Sequence, residues 1–163
     1  MGFLKSIFNI GDTYDENSEF LKILRKLGLP TDTGSNYWWV LYPQRAVEEI
    51  VNIRRRTNAV MERSGKKLIW KEWIYNNFGT RFYILMEAEN FPLKMPKIYL
   101  LKPDIEPDLK IHMYRDKSLC LIHPDEYNSN MTLMDFRGFA AAWCFCVEVF
   151  ANTRTWPAAE YQH

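Results

Sequence analysis

The sequence predicts an α+β domain: helices first, then an antiparallel β-meander, an irregular stretch and one long helix. Apolar residues recur every three or four positions early in the chain and again from Leu133 to Phe150. Between these regions, from Leu68 to Leu101, runs of aromatic and branched residues are separated by short turn signals, the mark of successive strands. The 163 residues are 47% apolar and 15% aromatic, which fits one domain with a real core and excludes a disordered or low-complexity chain. The expected organisation is a single domain over residues 1–163, with an N-terminal helical extension (1–66) and a core (67–163).

The first helix is expected over Ser18 to Leu27, with Phe20, Leu24 and Leu27 on one face. Gly28 supplies a left-handed stop and Pro30 forbids continuation. Tyr37 to Tyr42, a short aromatic run, is expected to be extended. Pro43 suits the first turn of a second helix, whose apolar positions Ala46, Ile50, Ile53, Thr57 and Val60 carry it to Ser64-Gly65. Its other face, with Arg45, Arg54, Arg55, Arg56 and Arg63 offset by Glu48, Glu49 and Glu62, reads as solvated, a docking surface being the alternative. Leu68 to Tyr75 and Arg81 to Ala88 form a hairpin around Asn76-Asn77-Phe78-Gly79. After the Asn90-Phe91-Pro92 turn, Lys97 to Leu101 is a third strand. Pro103 and Pro107 bracket a loop that cannot extend the sheet. Thr132, with Asp135 three residues on, caps an amphipathic helix on which Leu133, Phe136, Ala140, Trp143, Val147 and Phe150 form the face that packs on the meander.

Several function classes fall away. Twenty-one basic and twenty acidic residues leave a net charge of +1, so no whole-molecule field points to nucleic acid. The longest apolar stretch, Gly138 to Val147, is about half of the roughly 20 residues a membrane helix needs, and no signal-peptide core is present. Three cysteines, an odd and low count, argue for a reducing compartment and a cytoplasmic location. Met1-Gly2-Phe3-Leu4-Lys5-Ser6 fits the loose myristoylation pattern, which chance matches often. No glycine loop able to cradle phosphate occurs, and no cofactor is expected.

The chemistry-bearing residues concentrate around one cysteine. Cys144 and Cys146 lie two apart in the last helix, point to nearly opposite sides and flank its apolar stripe, as buried structural cysteines do. Cys120 lies in Ser118-Leu119-Cys120-Leu121-Ile122-His123-Pro124, and His112 and His123 are two of only three histidines in the chain. A thiol is partly thiolate at neutral pH, and an imidazole beside it increases that fraction. Two other readings stay open here: Cys120 as a small core residue between leucines, and His112, Cys120 and His123 as zinc ligands without the usual paired Cys-x-x-Cys element.

Phe91-Pro92-Leu93-Lys94-Met95-Pro96, then His112-Met113-Tyr114, then Leu119-Cys120-Leu121, then a helix, is an order that resembles the core of the ubiquitin-conjugating enzymes. It is more specifically similar to their bacterial branch, in which a His-x-Tyr segment accompanies Leu-Cys-Leu and the chain ends in a Thr…Trp-Pro…Glu…His tail. Here these are Thr153, Thr155, Trp156, Pro157, Glu160 and His163. Within that branch it resembles the stand-alone conjugating-enzyme-like proteins of type II CBASS antiphage operons, over roughly residues 67 to 163.

The resemblance implies a conjugating-enzyme-like fold and a thioester-forming nucleophile at Cys120. It implies transfer of the C-terminal carboxyl of the operon's cyclic-oligonucleotide synthase to an acceptor, priming antiphage signalling. The partner is then the C-terminus of that nucleotidyltransferase, with or without a separate activating enzyme, and neither nucleic acid nor membrane. His123 and Asp125 are the nearest candidates to take a proton from an attacking amine, and His112 and Tyr114 are active-site support. Eukaryotic relatives have His-Pro-Asn where this chain has His112-Met113-Tyr114, so the asparagine's role falls to the Tyr114 hydroxyl, a backbone amide or a side chain between Asp125 and Asn130. Acyl transfer needs oxyanion donors, each worth roughly 10²–10³ in rate, and a deprotonated amine. Two other functions fit the same residues: a non-catalytic binding module on this fold, and a cysteine hydrolase that removes such conjugates.

Overall fold

A computed structural model describes residues 16–32 and 34–158. The myristoylation pattern, Glu160 and His163 lie outside the described residues. The architecture is α+β: a four-stranded antiparallel sheet in sequential order, flanked by N-terminal helices and by one long C-terminal helix.

Helix α1 (Glu16–Lys26) ends as its sequence dictates. Gly28 takes φ +84°, the Gly28 N–H bonds Arg25 O (3.0 Å) and the Leu29 N–H bonds Leu24 O (3.1 Å), while the Leu24 and Leu29 side chains are buried together in the core. That is the paired stop in which a left-handed residue returns two N–H groups to the last turn. The expectation for Tyr37 to Tyr42 is corrected: Trp38–Leu41 is a short helix, α2. Adjacent Trp38 and Trp39 are both buried, against the alternation a strand would impose. Their indole N–H groups bond Ala88 O (3.2 Å) and Pro30 O (2.8 Å). These partners lie 50 and 9 residues away, so a short-range pattern does not announce them.

Helix α3 (Pro43–Arg56) starts at Pro43 as expected but stops short of the predicted end. Thr57 turns extended (φ −138°, ψ 169°), its hydroxyl bonding Ile53 O at 2.8 Å and accepting from the Ala59 N–H. A β-branched residue that supplies its own hydrogen bond competes with the next helical turn. The chain continues as strand β1 (Val60–Ser64), which returns through Gly65 (φ +58°) into β2 (Lys67–Tyr75). The reading of Arg45 and Glu49 as solvated is also corrected: Glu49 is 2% exposed and pairs with Arg45 at 2.7 Å.

β2, β3 (Arg81–Glu89) and β4 (Lys97–Lys102) form the predicted meander. Leu68, Trp70 and Ile74 of β2, Phe82, Ile84 and Met86 of β3, and Ile98 and Leu100 of β4 are buried at alternate positions, so one face of the sheet makes the core. Helix α4 (Leu133–Thr153) lies across that face and carries the predicted reciprocal cap: Thr132 Oγ1 accepts the Asp135 N–H (3.1 Å) and the Asp135 carboxylate accepts the Thr132 N–H (2.8 Å). Phe136, Ala140, Trp143 and Val147 are buried as expected. Trp143 meets Phe82 edge-on at 6.2 Å, Arg137 grips Glu72 through two bonds (3.1 and 3.2 Å), and Glu148 accepts from Thr80 and Asn76. These contacts, from Arg137 to Glu148, fix the helix against β2, β3 and the turn between them.

Candidate active site

Between β4 and α4 the chain makes a small ribbon that presents Cys120. Its return limb lies antiparallel to β4: the Leu119 N–H bonds Ile98 O (2.8 Å) and the Leu100 N–H bonds Lys117 O (3.1 Å). Its outgoing limb pairs with the return limb. The Tyr114 N–H bonds Ser118 O (2.9 Å), Met113 faces Leu119, and the Cys120 N–H bonds His112 O (2.8 Å). Buried Met113 and Leu119 hold the ribbon to the core, and the Trp143 indole donates to Ile111 O at 2.7 Å. Helix α4 therefore fixes the root of the ribbon directly.

The turn of the ribbon is equally determined. Tyr114 O accepts the Lys117 N–H (2.9 Å), and Lys117 takes φ +65°. The Asp116 carboxylate accepts from the Ser118 N–H (2.9 Å) and hydroxyl (2.5 Å), and these bonds hold it below the usual carboxylate range.

Cys120 is half-buried, whereas Cys144 and Cys146 are buried in α4, Cys144 completely. The Tyr114 side chain hydrogen-bonds that of Cys120; this bond and desolvation are the main causes that push the phenol up to about 12. His112 is buried at φ +55°, its ring 4.8 Å from that of Trp156, which also packs at 6.3 Å from Phe150. The tail residue Trp156 thus folds back on the site.

Downstream, His123 Nδ1 accepts the Asp125 N–H (3.2 Å) and lies 3.5 Å from the Asp125 carboxylate. A neutral imidazole that accepts at Nδ1 carries its proton on Nε2. His123 caps the turn Pro124–Glu126, and the Asp125 carboxylate is 91% exposed. The five predicted site residues thus fall into two groups, with His112, Tyr114 and Cys120 gathered by the ribbon and His123 and Asp125 paired in the next turn. Among the described residues no three His, Cys, Asp or Glu side chains gather to hold a metal ion.

Residues that the sequence does not mark hold the segment after Cys120. Arg45 donates to Ser129 O (2.9 Å) and Met131 O (2.7 Å), Glu49 accepts the Leu133 N–H (2.9 Å), and the Tyr127 hydroxyl donates to Pro92 O (2.6 Å). Arg45 and Glu49 stand four apart on one helix, a spacing that announces their mutual pair and nothing of partners more than 80 residues away.

A family model described as Type II CBASS E2 protein matches residues 49–163. The chain belongs to that family. The match begins within α3 and takes in β1, upstream of the residue-67 limit of the sequence resemblance. No curated protein and no solved structure matches. The chain is therefore a CBASS-associated protein of the ubiquitin-conjugating-enzyme-like kind, and none of its described helices is long and apolar enough to cross a membrane.

Proposed function

We propose that this family member is a cysteine-dependent acyl transferase. Cys120 takes the C-terminal carboxyl of a protein as a thioester and passes it to an amine acceptor. In a CBASS setting the donor protein is the cyclic-oligonucleotide synthase, and conjugation primes it for signalling in the cytoplasm. The observation that carries the reading is the placement of Cys120: a half-exposed thiol on a pinned ribbon, in a chain whose other two cysteines are buried. A thiolate is a competent nucleophile and a competent leaving group, and an accessible one can do both jobs.

The exposed Asp125 carboxylate is the group suited to receive the amine's proton. The Nδ1 lone pair of His123 is engaged by the Asp125 N–H, so His123 orients that turn. His112 positions Cys120 through its carbonyl and anchors Trp156 through its ring.

Incubating the protein with the synthase of its operon, with and without an ATP-using activating partner, gives an adduct that thiols release. Cys120→Ala abolishes it. An undiminished adduct in Cys120→Ala removes the assignment, and equal phage protection by wild type and Cys120→Ser shifts the reading to a non-catalytic binding module.

A further inference from the structure

We infer that Tyr114 is a catalytic residue of this chemistry, its hydroxyl donating to the Cys120 sulfur and stabilising the thiolate that departs when an amine takes the acyl group. The inference rests on the reading of Cys120 as the acyl carrier.

Its basis is the register of the ribbon. Tyr114 pairs through the backbone with Ser118, and Cys120 with His112. The two side chains therefore share one face and are diagonal neighbours, a gap of roughly 7–8 Å that only a long side chain spans. Tyrosine has that reach, and its hydroxyl meets the sulfur. The Asp116–Ser118 bonds and the Lys117 turn hold the register that sets this diagonal. Tyr114 is 40% exposed, so packing alone does not account for an aromatic ring here. The phenol, pushed up to about 12, stays protonated wherever amines react, so it serves as a donor and not as a base.

In the transfer, the amine nitrogen attacks the thioester carbonyl and a C–N bond forms. The C–S bond then breaks, and its electron pair goes to Cys120 Sγ. The amine's proton passes to solvent or to Asp125, and the thiolate later takes a proton from water. Tyr114 keeps its proton throughout and donates to a sulfur whose charge grows as the C–S bond lengthens. A donor that lowers sulfur basicity speeds departure and slightly weakens attack. Loss of the hydroxyl therefore slows discharge of the thioester more than its formation.

The test uses the full chain and a small probe, the N-acetylglycyl thioester of mercaptoethanesulfonate, with loading of Cys120 read by intact mass and discharge timed with glycinamide. Tyr114→Phe keeps the ring. It should load within about threefold of wild type, since nucleophilicity responds only weakly to basicity. It should discharge about 10- to 100-fold more slowly, a smaller loss than the roughly 10²–10³ of an oxyanion donor because sulfur is the weaker acceptor. Normal loading with wild-type discharge overturns the role of Tyr114 and leaves the acyl-carrier reading standing. Failure of the wild type to load above Cys120→Ala removes that reading and the role of Tyr114 with it.

Discussion

Cys120 and Cys144 carry the same thiol in opposite settings. Cys120 ends a pinned ribbon, half-exposed, with a phenol hydroxyl at its sulfur. Cys144 lies in α4 with no exposed surface, and burial pushes its thiol up to about 12. The two regions are nonetheless mechanically joined, because Trp143, beside Cys144 in sequence, donates to Ile111 at the root of the ribbon. The difference in chemistry comes from placement, since the side chains are identical.

The comparison is broken most directly by labelling. At pH 7 a thiol near 12 has only about 10⁻⁵ of its population as thiolate, and α4 shields it as well. Brief treatment of the native protein with iodoacetamide, followed by peptide mass analysis, should modify Cys120 at least about a thousandfold faster than Cys144. Comparable rates would erase the contrast between the regions.

The mechanical link is tested by Trp143→Ala. Removing a buried indole costs roughly 3–5 kcal/mol, and here Ile111 O also loses its donor. Urea unfolding should show a loss of that size, and Cys120 alkylation should change although the substitution leaves the ribbon's sequence intact. A large loss of stability with unchanged Cys120 alkylation would show that α4 supports the core and not the site.

The α4 side of this contrast was far more legible in the sequence than the ribbon side. Thr132 and Asp135 announce a reciprocal cap, and the apolar spacing from Leu133 to Val147 announces the buried face, because a helix satisfies its own backbone. The meander was legible for the same reason: alternation and turn residues are local. The order of Phe91-Pro92, His112 and Leu119-Cys120-Leu121 singled out Cys120 as the candidate. What stayed hidden depends on pairing between distant segments. The burial of Trp38 and Trp39 in a short helix comes with indole bonds to Ala88 and Pro30, and the apolar spacing that runs on to Val60 hides the break that Thr57 makes. Tyr114 meets Cys120 only once the ribbon's register is set. The reach of Arg45 to Ser129 and Met131 has no local signal at all.

The smallest expected effect concerns how α4 is anchored at its start. Glu49 accepts the Leu133 N–H and the Arg45 guanidinium, yet its burial outweighs both, and its carboxyl sits above the usual carboxylate range. A group whose folded pKa is raised binds its proton more tightly in the folded state. Its contribution to stability is fully present below the unfolded value of about 4.3 and is lost as pH rises through the raised folded value. Glu49→Gln removes this term. Asp104, Asp116 and Glu89, all held low by hydrogen-bonded partners, give the opposite slope in both proteins and cancel in the difference. The wild-type unfolding free energy minus that of Glu49→Gln, from denaturant titrations at stepped pH, should therefore fall with rising pH across that window and then level off. A flat difference would mean that Arg45 and the Leu133 amide compensate the buried charge in full, so that the start of α4 is held by an ion pair whose burial carries no net cost.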